Sequence, residues 1–205
     1  MSKNNYLSSE LINLEGVVKT LKYFLKLKQL KPDIRLKHIR DLDLNKLQEK
    51  KIKYIVFDKD NTIAFHKSNE IPNEEMKEIL EKFSDVFGKD NIAILSNTAG
   101  SANDNNFSDL ILIEENFRIK VIKHKYKKPA VDFEIFKHFK LNVNPSSEER
   151  RSVCCIGDRL FTDVVMGKEI NSFTVLVDPL DSSTDNFIVR NIRKIENYIV
   201  DKIMI

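Results

Sequence analysis

The sequence predicts a doubly wound, Rossmann-like α/β fold, a parallel five-stranded sheet with helices on both faces. Three observations lead there. From about residue 52, apolar runs of four to six residues alternate with stretches of helical periodicity, as expected of parallel strands covered on both sides. Polar clusters follow three of those runs at their C-terminal ends, where open α/β sheets bind their ligands. The chain has 205 residues and 41% apolar content, enough for the core of a single domain.

Taken in order, residues 1–50 read as a separate basic segment and 51–205 as the α/β domain. On a helical wheel Leu11, Leu14, Val18, Leu21 and Leu25 share one face, widened by Val17 and Phe24 and flanked by Lys19, Lys22 and Lys26. That is a basic amphipathic helix, suited to lying in a bilayer interface or packing on its own domain. The five strands are expected at Ile52–Phe57, Asn91–Leu95, Lys120–Lys123, Ser152–Ile156 and Phe173–Val177. A helix follows Pro72-Asn73, with Met76, Ile79, Leu80 and Phe83 on one side and a stop near Gly88. Others are expected over roughly 103–117, after Pro129 through Phe139, over Phe161–Ile170 and over Asp185–Ile203. In the last, Phe187, Ile188, Ile192, Ile195 and Ile199 form a stripe expected to pack in the core.

Charge is uneven. Residues 1–53 hold 13 Lys/Arg against 6 Asp/Glu, whereas the whole chain is only +3, so the remainder is acidic. Such a basic segment points to an anionic surface. No stretch of about 18 apolar residues is present, so no spanning helix is expected. The N-terminus has no secretory apolar region, and Glu10 and Glu15 interrupt any transit-peptide pattern. Cys154 and Cys155 are neighbours in an expected strand, point to opposite faces and are read as reduced core thiols.

Chemistry concentrates at the strand ends. Asp58 and Asp60 follow the first strand in DKDNT, Ser96, Asn97 and Thr98 the second, and Gly157-Asp158 the fourth, with Asp163 in GDRLFTD. Singly, each has a bland explanation as a turn, cap or solvated loop. At equivalent ends of successive strands they describe one site. Four carboxylates so close require a cation, and an all-oxygen donor set shared with phosphate and water favours Mg2+. Opposite them Ser96, Lys127 and Lys128 supply an anion-holding half. Metal and anion cradle together suit phosphoryl transfer, with one aspartate as nucleophile and a second as acid and base. Lys59 and Arg159 each follow one of these aspartates and are candidates for a second substrate phosphate. His66, in the flap after the first motif, is expected to be solvated.

The motifs DKDNT, LSNTAG, KKP and GDRLFTD resemble those of the haloacid dehalogenase superfamily of Mg2+-dependent aspartyl phosphatases. The resemblance implies Asp58 as nucleophile and Asp60 as general acid/base. It implies that Ser96 and Lys128 hold the phosphoryl group, that Asp158 binds Mg2+ with Asp58 and the Asp60 carbonyl, and that Asp163 supports the metal. Neither Asp60–Ser96 nor Thr98–Lys127 has room for a folded cap, so a capless enzyme is expected. With NLEGVVKTLKYF and LIEENFRIKVIKHKYKKP added, the chain also resembles the mitochondrial phosphatidylglycerophosphate phosphatases of cardiolipin synthesis, over roughly residues 13–200. That implies an anionic phospholipid substrate, peripheral membrane contact through the N-terminal helix, a place on the matrix side of the inner mitochondrial membrane, and no nucleic-acid partner. The alternatives are a phosphatase of a soluble phosphomonoester, phosphoprotein or nucleic-acid end, a non-catalytic membrane module, and a phosphotransferase.

Overall fold

The computed structural model describes residues 27–131, 133–142, 144–183 and 185–204. The basic amphipathic stretch expected over Leu11–Leu25 lies outside them. Six parallel strands form the sheet: β1 (Ile34–Leu36), β2 (Tyr54–Phe57), β3 (Ile92–Ile94), β4 (Lys120–Val121), β5 (Val153–Gly157) and β6 (Phe173–Val177), in the order β1-β6-β5-β2-β3-β4. All five expected strands are present. β1 is the addition, paired in register with β6 from Ile34 opposite Val175 to Leu36 opposite Val177. Three residues, one of them Arg35, are too few to show periodicity, and the strand exists because β6 offers an edge. The described sheet therefore begins upstream of residue 51.

Alternation along the strands divides the core. Ile55, Phe57, Ile92, Ile94, Cys154 and Ile156 face one layer, built from α1 (Leu44–Glu49), α2 (Glu74–Phe87) and α3 (Ser108–Phe117). Val56, Ala93, Val153 and Cys155 face the other, with α4 (Phe133–His138) and α6 (Val165–Glu169). A short α5 (Ser147–Arg151) precedes β5, and α7 (Phe187–Met204) closes the chain against β6. The two cysteines are buried, reduced and on opposite layers.

Local chemistry sets the boundaries. The Asn73 side chain accepts from the Met76 amide and starts α2, while Gly88, at φ 84°, ends it. α3 starts later than its apolar pattern suggests. The Asp104 carboxylate accepts from the amides of Gly100, Asp109 and Leu110 and holds the preceding turn out of the helix. Helix 161–170 is in fact a π-helical turn, Leu160–Val164, running into α6. Among the described residues no helix is long and apolar enough to cross a membrane.

The larger correction concerns α7. Of the expected stripe Ile199 is buried and Ile192 half-buried, but Phe187, Ile188 and Ile195 are exposed, and the helix buries Arg193, Glu196 and Val200 beside Ile199. Asp158, on the loop after β5, and Asp185, just before the helix, pair with Arg193, and the loop's Arg159 pairs with Glu196. These pairs fix the rotation of the helix against its apolar stripe.

Candidate active site

β2 lies between β5 and β3, and chain connections leave it in opposite directions. This is the switch point at which α/β sheets open a crevice. Asp58 is the first residue beyond β2, its amide bonded to the Ile156 carbonyl (2.8 Å). Asp158 is the first beyond β5. Gly157 is required here, since a Cβ would lie 2.4 Å from the Asp163 carboxyl carbon. Asp58, Asp158 and Asp163 each present a carboxylate oxygen within 4.8 Å of the others.

Lys128 reaches between two of these acids. Its Nζ donates to Asp58 Oδ1 and, at 2.7 Å, to Asp163 Oδ1, and the side chain is almost wholly buried. Its amide donates to Asn97 Oδ1 at 2.9 Å, tying the KKP turn to the SNT turn, and the Lys128–Pro129 peptide is cis. Lys127 is exposed and takes no part in the cluster. Of the two lysines, only Lys128 lines the pocket.

Asp60 stands apart from the other carboxylates. It lines the same pocket, and its Oδ1 accepts from the Lys67 amide (2.7 Å) and Lys59 Nζ (3.0 Å). Of the four acids expected together, three cluster and the fourth sits in the flap. Ser96 is fully buried, its Oγ accepting from the amides of Thr98 and Ala99, and it lines an adjoining cavity of about 180 Å3 with Lys59, Asp60 and Thr98. Gly100 makes that turn possible. Its φ is +79°, and a Cβ would meet the Ile122 carbonyl oxygen at 2.8 Å.

The two candidates for a second substrate phosphate are both engaged. Lys59 is buried, and its ammonium holds Asp60 and the Ser68 carbonyl (2.6 Å), pinning the flap. Arg159 lines the pocket and pairs through Nε with Glu196 of α7 at 2.7 Å. His66 is exposed yet lines the pocket, its Nδ1 3.8 Å from Asp60 Oδ1.

Residues that sequence reasoning missed come from α7. Arg193 Nη1 lies 2.8 Å from Asp158 Oδ2, and its Nε donates to Asp185 Oδ2 at 2.8 Å. Glu196 also accepts from the Phe161 amide at 2.9 Å. Only their partners Asp158 and Arg159, more than 30 positions upstream, distinguish them from solvated helix charges.

The electrostatics are one-sided, with three buried carboxylates facing two cations. Burial pushes the Asp158 carboxyl up to about 6, assisted by Asp163 and opposed by Arg193. Burial likewise drives Asp58 well above the usual carboxylate range, Lys128 opposing and Asp163 and Asp158 reinforcing. Burial disfavours the Lys128 ammonium, but Asp163 and Asp58 outweigh it and hold its pKa above the ordinary value. Burial is the main cause of both carboxyl shifts, and the neighbouring carboxylates add to it. A hard divalent cation fits the oxygen donors of Asp58, Asp158 and Asp163.

The pocket encloses about 320 Å3 at the carboxyl edge of the sheet, bounded by the flap on one side and the start of α7 on the other. Comparison with known proteins gives this geometry a context. The family described as mitochondrial PGP phosphatase matches residues 14–180. The chain is 37% identical to phosphatidylglycerophosphate phosphatase 1, chloroplastic/mitochondrial, of Arabidopsis thaliana, over 90% of its own length. It spans about half (51%) of that relative. It is 31% identical to the mitochondrial phosphatidylglycerophosphatase GEP4 of Saccharomyces cerevisiae, covering 81% of this chain and 87% of the yeast protein. The probable phosphatase YqeG of Bacillus subtilis is 33% identical over 82% of this chain and 88% of its own. No solved structure matches. A match that spans all four clustered motifs, with relatives alike over most of the chain, leads to one conclusion: the chain belongs to the mitochondrial PGP phosphatase family.

Proposed function

We propose that the protein is a capless phosphatase of the haloacid dehalogenase type, hydrolysing phosphatidylglycerophosphate to phosphatidylglycerol and phosphate. The observation that carries the reading is the convergence of Asp58, Lys128, Asp158 and Asp163 in one pocket, in a chain of this family. A Asp58 carboxylate oxygen attacks phosphorus as the bond to the glycerol oxygen breaks, and Asp60 gives that oxygen a proton. Asp60 then takes a proton from water, whose oxygen attacks the aspartyl-phosphate, releasing phosphate and restoring Asp58. Lys128 balances charge on the phosphoryl oxygens, and Ser96 and Asn97 shape the turn beside them. Mg2+ is the proposed cofactor, held by Asp58, Asp158 and Asp163 with the Asp60 carbonyl, and when bound it neutralises charge on the transferring group.

Pocket size supports a headgroup-sized guest. About 320 Å3 is at the lower end of the ~300–1,000 Å3 usual for small-molecule sites, so acyl chains stay outside. Access is direct, because the described chain between β2 and β3 holds only the flap, α2 and a short turn, and α3 alone is the helix between β3 and β4. Relatives named mitochondrial support a mitochondrial location, and the role in cardiolipin synthesis on the matrix face of the inner membrane is part of the same proposal. The test is phosphate release from phosphatidylglycerophosphate in vesicles and from soluble phosphomonoesters, each with Mg2+ and with EDTA. Mg2+-dependent release from the lipid is expected, whereas release from soluble esters alone would replace this substrate assignment.

A further inference from the structure

We propose that the outer face of α7, beginning at Phe187 and Ile188, is the surface that seats the protein on an anionic bilayer and brings the membrane to the mouth of the pocket. This rests on the lipid-phosphate reading of the site. Asn186 and Val189 line the pocket, and the two residues between them point their side chains to solvent, Phe187 at 79% and Ile188 at 68% exposure. Farther along the helix Ile195 and Tyr198 are also exposed, seven and ten residues on from Ile188 and so on the same helical stripe. Across the pocket Phe65 is exposed beside the pocket-lining His66.

Charge selects the occupant. Arg190, Lys194 and Lys202 are exposed along α7, and Asp201 is its one exposed acid, because Glu196 is buried against Arg159. A second copy of the chain would bring like charges together, whereas anionic headgroups complement them. An aromatic and an aliphatic side chain at the end of a basic helix enter the interface while the cations meet the headgroups. A pocket that admits a headgroup alone needs the bilayer surface at its rim, and the first turn of α7 forms part of that rim. The pairs Arg193–Asp158 and Arg159–Glu196 lock this helix to the acid loop, so contact at its outer face is transmitted to the site as position and not as motion.

The experiment compares the full chain with F187S/I188S, I188S and, as a control on α3, I111S, whose side chain is exposed and lines neither cavity of the site. Co-sedimentation is measured with phosphatidylcholine vesicles with and without phosphatidylglycerol, alongside turnover of p-nitrophenyl phosphate and of phosphatidylglycerophosphate in vesicles. The expected result is a partition coefficient at least about tenfold lower and a vesicle KM raised to match for the double variant. I188S is expected to fall between, and I111S and soluble-ester turnover to stay within about twofold of the unaltered chain. Unchanged partition and vesicle KM in the double variant would overturn the proposal. So would equal binding to neutral and anionic vesicles, or a dimer that F187S/I188S dissociates without changing vesicle binding. Soluble-ester turnover reports folding, and if the double variant loses it, I188S decides by the same criteria. If the unaltered chain binds anionic vesicles through Phe187 and Ile188 but does not cleave the lipid, the substrate reading fails and the surface stands.

Discussion

On the proposed mechanism Asp58 is indispensable to chemistry, and its burial makes it a burden on the fold. Its carboxylate is buried against two others, and a raised pKa means that ionising it opposes folding. Asp58→Asn is therefore expected to lower turnover at least about 10^4-fold while leaving the metal-free protein as stable as before or more so. Single-turnover kinetics and urea melts in EDTA check the two halves. Arg193 is the converse. Breaking the buried pair with Asp158 leaves that acid uncompensated, so Arg193→Met is expected to cost about 3–5 kcal/mol in metal-free buffer, read from urea midpoints. A wild-type midpoint would show that Asp158 finds its charge balance elsewhere. Lys128 and Lys127 show how far residue types carry. KKP announces a phosphate-facing lysine, and only the fold says which of the two is turned inward.

At the scale of elements, motifs that follow strands were legible because strands announce themselves by local apolar runs. Asp58, Asp158 and the turn at Ser96 needed only the end of such a run to be placed. β1 and α7 were not legible. β1 is held by distant partners, Asp33 accepting from the Thr174 amide (3.0 Å) and from Lys168 Nζ (2.9 Å) and pairing with Arg151. Burial would raise the Asp33 carboxyl, but hydrogen bonds from Arg151, Lys168 and Thr174 outweigh it and lower it from 3.8 to about 2. A depressed pKa contributes stability that is complete above the unfolded value and lost as pH falls towards the folded one. Asp33→Asn is expected to cost about 1 kcal/mol at neutral pH, after allowance for solvent screening at this partly exposed group. The difference from the unaltered protein should shrink below about pH 4 and vanish near pH 2 in urea titrations.

For the whole molecule, charge is segregated so that the site is short of cations while the outer face of α7 has a surplus. The first imbalance would make binding of the proposed Mg2+ a folding term. On the proposed Mg2+ site, saturation at about 100 times Kd should raise unfolding free energy by about 2.7 kcal/mol, with a matching rise in Tm that EDTA reverses. Asp58→Asn should lose much of that rise, and an identical Tm with and without Mg2+ would count against the three-carboxylate site.

The sequence by itself determined the α/β class, five of the strands, the division of the core into two layers, and, among the residues that meet at the pocket, Asp58, Asp60, Asp158, Asp163 and a lysine of the KKP turn. Those follow from period, turn chemistry and strand ends, which are local properties. Only the tertiary structure decided that Lys128 enters the site and Lys127 does not, that Asp60 stands apart from its fellow acids, that Ile34–Leu36 joins the sheet, and that α7 turns Arg193 and Glu196 inward and Phe187 outward. Apart from Asp60, which Lys59 and Lys67 hold locally, those outcomes depend on partners far along the chain, and a buried charge chooses its partner by desolvation and distance, neither of which is written in neighbouring residues.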